Sequence, residues 1–228
     1  MSVKGHRFHP SILREYDIRG IVGRTLTTSD ALALGRTLGT IAVASGGRVA
    51  VVGYDGRHSS PMLEEELCRG LASCGLFVLR IGLCPTPMVY FAARVLNASV
   101  GVMVTGSHNP PEYNGFKMVL GNKPFYGENI TRLGEQAVRG VWVSGAGGVV
   151  DVEASDAYVA RMLNDYTSKS GLHVAWDPGN GSSGNILIKM LRRMPGDHTV
   201  INERIDGSFP AHHPDPTVEK NLEQLRDI

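Results

Sequence analysis

Short, strand-sized apolar runs alternate with helical stripes along most of this chain, and that alternation restricts the fold more than any other feature. A chain so patterned builds a sheet covered by helices. Val49-Ala-Val-Val52 is a β-rich run with no polar alternation, the kind buried on both faces of a parallel sheet. Residues 76–81 and 99–105 read as further strands, as do residues 115–120, where Phe116, Met118 and Leu120 share one face and Lys117 takes the other. Between them, residues 31–44 place Leu34, Leu38, Ile41 and Ala42 on one helical stripe, with Thr27, Thr28 and Ser29 available as caps. A second helix starts at Ser59 or Ser60 with Pro61 in its first turn. Its Glu64-Glu65-Glu66 run reads as a solvated acidic face near the positive helix end.

The stretch 143–150 is glycine-rich and reads as a linker. Charge changes sign there: residues 1–150 carry 15 Lys/Arg against 10 Asp/Glu, a balance of +5, and residues 151–228 carry 8 against 12, a balance of −4. An anionic ligand is therefore expected on the first part. The net charge of +1 gives no basis for a nucleic-acid partner. After the linker, residues 155–166 read as a bridging helix, followed by strand 172–177, helix 185–194 and strand 199–202, a βαβ pattern. Ile186, Leu187, Met190, Leu191 and Met194 form that helix's core stripe, and a last helix is expected over 218–228. Two strands make a thin α/β domain. Cys68, Cys74 and Cys84 are odd in number and form no C-x-x-C pair, which points to buried free thiols in a reducing compartment. The start lacks the apolar stretch of a signal peptide, and no apolar run approaches bilayer length. A cytoplasmic protein without a membrane partner is expected.

Three segments invite chemistry. Thr105-Gly-Ser-His-Asn-Pro110 and the residues up to Lys117 form a loop entered from one apolar strand and left through another. Ser107 lies just past a strand end, where open α/β sheets place their ligands. Ser107 and His108 suggest a nucleophile and a partner, but there is no G-x-S-x-G elbow, and an ordinary Ser/Asn/Pro turn has the same composition. Gly179-Asn-Gly-Ser-Ser-Gly184 is a literal G-x-G-x-x-G after a strand, yet Asp177 stands where a pyrophosphate would approach. A tight turn that requires glycine accounts for it better than a nicotinamide site does. His212-His213 tempts a metal reading, but adjacent side chains on an extended segment diverge, and Pro210, Pro214 and Pro216 make this a stiff surface strip.

Taken in order, these pieces resemble the α-D-phosphohexomutase family. The resemblance rests on Glu15-Tyr-Asp-Ile-Arg-Gly20, Gly53-Tyr-Asp-Gly-Arg57, Pro85-Thr-Pro87, Thr105-Gly-Ser-His-Asn-Pro110 and Asn114-Gly-Phe-Lys117. It continues with Asp177-Pro-Gly-Asn-Gly181 and Phe209-Pro-Ala-His-His-Pro-Asp-Pro216, and it is closest to the bacterial phosphomannomutase/phosphoglucomutase group. The fold it implies is α/β, a mixed, mostly parallel sheet sandwiched by helices: one complete domain over 1–150 and an incomplete second domain of the same type over 151–228. Family members have four domains, so the metal-binding loop and the third and fourth domains would lie outside this sequence. The resemblance implies interconversion of hexose 1-phosphate and hexose 6-phosphate through a phosphoserine and a hexose 1,6-bisphosphate. Ser107 would carry the phosphoryl group, Lys117, Arg19 and His108 would be catalytic, and Tyr16 and Asn109 would bind substrate or orient the loop. Arg19 could present a fork to phosphate and Lys117 a compact charge. Mg²⁺ would bind through the phosphate on Ser107, glucose 1,6-bisphosphate would activate, and the partners would be phosphorylated hexoses and the remaining half of the enzyme. The chain alone is expected to be inactive, since a cation contributes several kcal/mol to such transfers. The competing readings are a non-catalytic phosphosugar-binding fragment and, remotely, an NAD-dependent oxidoreductase built on 179–184.

Overall fold

The computed structural model describes residues 5–169 and 171–228. The first unit runs β1 (Ile18–Ile21), α1 (Thr28–Ala44), β2 (Val49–Tyr54), α2 (Ser60–Ser73), β3 (Phe77–Leu83) and α3 (Thr86–Val95). It continues through β4 (Val100–Val104), β5 (Tyr113–Leu120), β6 (Lys123–Pro124), α4 (Glu128–Arg139) and β7 (Gly148–Asp151). The second unit contributes α5 (Ser155–Asn164), β8 (His173–Trp176), α6 (Gly184–Leu191), β9 (Asp197–Val200) and the short α7 (Glu223–Arg226). Helix α1 begins where expected because Thr27 and Asp30 close a capping box: the Thr27 hydroxyl accepts from the Asp30 amide, and the Asp30 carboxylate accepts from the Thr27 amide at 2.7 Å.

The main sheet has the strand order β1-β5-β4-β2-β3-β7, with β6 paired to β5. Strands β4, β2, β3 and β7 are parallel, whereas β5 runs antiparallel to both β4 and β1. Period-two alternation sorts each strand's side chains into two cores. Ala50, Val52, Val102 and Phe116 pack with Leu34 and Leu38 of α1, Leu63 and Leu67 of α2 and Leu133 of α4. Val51, Met103 and Ile81 pack on the other face with Val89 and Ala92 of α3, and with Val159 of α5 and Ile186 of α6. The second core thus joins the two units. Helices α1 and α2 cross at Gly35 and Gly70: a Cβ on Gly35 would lie 2.3 Å from the Leu67 carbonyl oxygen, so only glycines permit that approach. In the second unit, β8 and β9 form a parallel pair, as expected of a βαβ segment.

Four expectations are corrected. The stretch 143–150 is not simply a linker, because Gly148–Asp151 forms β7 and pairs with β3 at the sheet edge, and the Gly145 amide bonds the Ser73 carbonyl at 2.9 Å. The last helix shrinks to a 3₁₀ turn (Glu219–Leu222) followed by α7, a single turn. Ser59 and Ser60 do not cap α2 with their hydroxyls; Asn114 donates to both at 2.9 Å, and Ser60 in turn donates to Asp55. The glutamate run is not uniformly solvated, because Glu64 is fully buried and receives two hydrogen bonds from Arg80, at 2.8 and 2.7 Å. All three cysteines are buried free thiols, as the sequence suggested. Among the described residues no helix is long and apolar enough to cross a membrane.

Candidate active site

The parallel strands β2, β3 and β4 end at Tyr54, Leu83 and Val104, so the loops that follow gather at one end of the sheet. The loop after β4 carries Ser107 at its tip. Ser107 is exposed and has φ +54°, a left-handed conformation that costs a non-glycine residue on the order of 1 kcal/mol. Such a residue persists only where its surroundings over-determine it, and here they do. The Ser107 amide donates to the Thr105 hydroxyl at 2.9 Å, while the Gly106 carbonyl accepts from the Asn109 amide, from Asn109 Nδ2 at 3.0 Å and from Arg19 Nη1.

Beneath the loop sits Asp55. Its carboxylate accepts from the Thr105 hydroxyl at 2.8 Å, the Gly106 amide at 3.1 Å, the Ser60 hydroxyl at 2.6 Å, and the amide and Nε of Arg57. Arg57 is 1% exposed, and its two terminal nitrogens donate to the backbone carbonyls of Ser107, Asn109, Pro110 and Tyr113. Burial pulls Arg57 below the ordinary arginine value, and the charge and hydrogen bond of Asp55 oppose that pull. Gly106 is required here, since a Cβ would stand 2.1 Å from Arg57 Nε.

Of the residues anticipated from sequence, Arg19 and Asn109 bond to the Ser107 loop directly and Lys117 reaches it through Asp17, whereas Tyr16 stands apart from it. Arg19 is 3% exposed, with its fork on the Gly106 carbonyl and on Asp17 rather than open to solvent; its Nε is buried and has no hydrogen-bond partner among the described residues. Lys117, on the opposite face of β5 from Phe116 and Met118, places Nζ 3.3 Å from the same Asp17 carboxylate and keeps part of its side chain exposed. Asp17 therefore links the two cations. His108 is exposed beside Ser107. Tyr16, next to Asp17, is 71% exposed and stacks on Tyr126 with centroids 6.5 Å apart. Asn109 ties down the loop.

A cleft of about 260 Å³ opens between the units, lined by Ser107 and His108, by Thr86, and by Ser182, Ser183 and Pro214 of the second unit. The second unit also places Phe209 over the Arg57 guanidinium, 5.0 Å from its centre. The 179–184 motif folds as a turn. The amides of Gly179, Asn180, Gly181 and Gly184 bond to Asp177, Asn202, Pro178 and Gly181 respectively, and are therefore engaged within the fold. His212 pairs with Asp177 at 2.9 Å, and among the described residues no three His, Cys, Asp or Glu side chains assemble to hold a metal ion. The thiols are poor nucleophiles: burial pushes Cys84 up to about 12 and raises Cys68 and Cys74 as well.

Sequence reasoning assigned no role to Asp55, Arg57, Asn114 or Phe209. For Asp55 and Arg57 the signal was Gly53-Tyr-Asp-Gly-Arg57 immediately after an apolar strand, a charged pair where the chain leaves the sheet, while Asn114 and Phe209 stood within motifs of the resemblance.

Comparison with known proteins bears on the family and the fold. The model described as phosphoglucomutase/phosphomannomutase, alpha/beta/alpha domain I, matches residues 10–139, and the corresponding domain II model matches residues 156–228. The phosphomannomutase/phosphoglucomutase of Pseudomonas aeruginosa is 41% identical over 215 residues, covering 94% of this chain and 46% of the relative. The phosphoglucomutase of Neisseria gonorrhoeae is 41% identical over 216 residues, covering 94% and 47%. A crystal structure of a phosphoglucomutase/phosphomannomutase family protein from Burkholderia thailandensis superimposes with a TM-score of 0.90 at 37% identity, covering 95% of this chain and 49% of that one. The chain spans about half the length of the curated relatives it matches. With both domain models matched in order and the fold shared, the chain belongs to the phosphoglucomutase/phosphomannomutase family.

Proposed function

We propose that this chain is the phosphoserine-bearing part of a mutase that interconverts hexose 1-phosphates and hexose 6-phosphates of glucose or mannose, in the cytoplasm. The observation that carries the reading is the exposed Ser107 hydroxyl on a loop fixed from below by Asp55, Arg57 and Arg19. Phosphoryl transfer depends on positioning and charge neutralisation more than on a strong nucleophile, and a serine on a fixed loop, with a lysine tied to that loop through Asp17 and Arg19, suits both needs. In the forward step the bond between phosphorus and Ser107 Oγ breaks and a bond to a sugar hydroxyl oxygen forms. The hydroxyl proton ends on the Ser107 oxygen that leaves phosphorus, while Lys117, oriented by its ion pair with Asp17, would steady the transferred charge. His108 lines the cleft where the hexose would sit, the exposed Tyr16 would bind substrate or orient the loop, and glucose 1,6-bisphosphate would prime the serine.

The Mg²⁺ implied by the resemblance finds no donor set among the described residues. Asp17 is held by Arg19 and Lys117, and Asp55 by its five donors, so no step is routed through the ion. The same observation favours a second reading, a fragment that binds phosphosugar without turning it over.

The test is intact-mass and peptide analysis of the protein expressed from its full reading frame, after incubation with glucose 1,6-bisphosphate. One phosphoryl group on Ser107, absent from Ser107→Ala, is expected. A protein that never carries it removes the mechanism, and titration with hexose phosphates then decides for or against the binding reading.

A further inference from the structure

We propose that Arg57 is a positioning residue for the Ser107 loop and that Phe209 of the second unit seats it, so that the geometry of the phosphoryl-bearing serine depends on how the second unit docks. The inference rests on the reading of Ser107 above and deepens it.

The four carbonyls that Arg57 holds span residues 107–113, at 2.9 Å to Ser107, 2.7 Å to Asn109, 2.6 Å to Pro110 and 3.0 Å to Tyr113. Each terminal nitrogen serves two acceptors, and Nε is left for Asp55. A planar guanidinium, with five N–H groups in a fixed fork, can satisfy this set; an ammonium, with three donors on one atom, cannot span it. The loop is therefore tied to a shape, whereas Asp55 requires only a positive charge.

The N–H groups use the edge of the guanidinium and leave its face, which Phe209 covers. Phe209 is itself held at φ +51°, with its amide on the Asp206 carbonyl at 3.1 Å. The segment that carries it presses on the turn that carries Arg57. A Cβ on Gly56 would lie 2.3 Å from Ile205 Cγ2, and a Cβ on Gly207 would lie 2.7 Å from Arg57 Cα. The contact thus runs from the second unit through Phe209 to Arg57, and from Arg57 to the backbone of Ser107. If the second unit shifts, the guanidinium face is uncovered and hydrated, and the carbonyls it holds begin to compete with water.

Amide hydrogen exchange of residues 106–113 in the 228-residue chain tests this. Arg57→Lys keeps the charge opposite Asp55 but not the fork, so exchange of these amides should rise about tenfold while that of β2 and α1 is unchanged. Phe209→Ala leaves every hydrogen bond of Arg57 in place and should raise exchange in the same segment about threefold. In the protein from the full reading frame, Arg57→Lys should lower kcat about tenfold and leave KM for the hexose phosphate near the wild-type value, because Arg57 is buried away from substrate. Unchanged loop exchange in Arg57→Lys overturns the positioning role, and unchanged exchange in Phe209→Ala overturns the coupling to the second unit. Should Arg57→Lys not fold, Phe209→Ala decides alone. Because exchange requires no phosphoryl transfer, a wild-type protein that never phosphorylates Ser107 would defeat the function and leave this result standing.

Discussion

Glu64 shows how much one residue's surroundings outweigh its type. It is fully buried on α2, yet its carboxylate takes two hydrogen bonds from Arg80 on β3, and the Cys68 thiol donates to it at 3.3 Å. The pair is asymmetric. Arg80 is about a third exposed and also lies 3.8 Å from Asp151, so it has alternatives in water and on β7, whereas Glu64 has none. Removing the arginine leaves a buried charge with a single weak thiol donor. Arg80→Met should therefore cost about 3 kcal/mol of folding stability. Glu64→Gln keeps an acceptor for Arg80 and should cost about 1 kcal/mol. Urea midpoints at constant slope measure both, and equal losses would mean that the buried carboxylate is not the vulnerable member.

At the scale of elements, the strip after β9 is fastened to the segment after β8 by His212, beside the bonds that Asn180 makes with Arg204, Asp206 and Ala211. Nδ1 of His212 donates to the His213 carbonyl at 3.0 Å, and Nε2 lies 2.9 Å from Asp177, whose carboxylate also accepts from the Gly179 amide and from Asn202. Both ring nitrogens can donate only in the imidazolium form. Burial alone would depress the His212 pKa, but the bonds to His213 and Asp177, with the charge of Asp177, outweigh it and raise the pKa above the ordinary histidine value. A raised folded-state pKa gives stability that is complete below the unfolded value, near 6.5, and is lost as pH climbs through the folded one. Wild type should therefore melt further above His212→Asn at about pH 5.5 than at about pH 8.5, and a pH-independent gap in Tm would exclude the linkage. This fastening also marks what the sequence could and could not convey. The strand runs 49–52 and 99–105 and the Ser107 loop were legible because period, punctuation and motif are local. Glu64, β7 and the two-histidine strip were not, because their states are set by Arg80, β3 and Asp177, partners distant in sequence. The Arg57 clamp was hidden for a further reason: its partners are backbone carbonyls, which leave no trace in residue identity.

For the whole molecule, the question is whether these 228 residues suffice for chemistry. Both units contribute to the cleft, Ser107 is presented at its edge, and Lys117 is tied to the Ser107 loop through Asp17 and Arg19, which are the parts the proposed transfer would use. What counters charge during transfer is thinner. Three aspartates of the second unit are engaged locally: Asp177 with His212 and Asn202, Asp206 with the Ser208 hydroxyl at 2.6 Å, and Asp215 with the Thr217 hydroxyl at 2.7 Å. Their local bonds hold Asp206 and Asp215 below the ordinary carboxylate value, so both are ionised at neutral pH, but they are dispersed rather than convergent. A phosphoryl transfer that lacks a convergent counter-charge forfeits several kcal/mol of transition-state stabilisation, which is a loss of about a thousandfold or more in rate. The purified 228-residue polypeptide, supplied with Mg²⁺ and glucose 1,6-bisphosphate, should therefore convert glucose 1-phosphate to glucose 6-phosphate at least about a thousandfold more slowly than the protein from its full reading frame. A coupled assay on both proteins, with Ser107→Ala as the control, distinguishes the outcomes. Turnover by the 228 residues at a rate within about tenfold of the longer protein's, lost in Ser107→Ala, would overturn this and mean that Lys117 and the clamped loop supply the missing charge themselves.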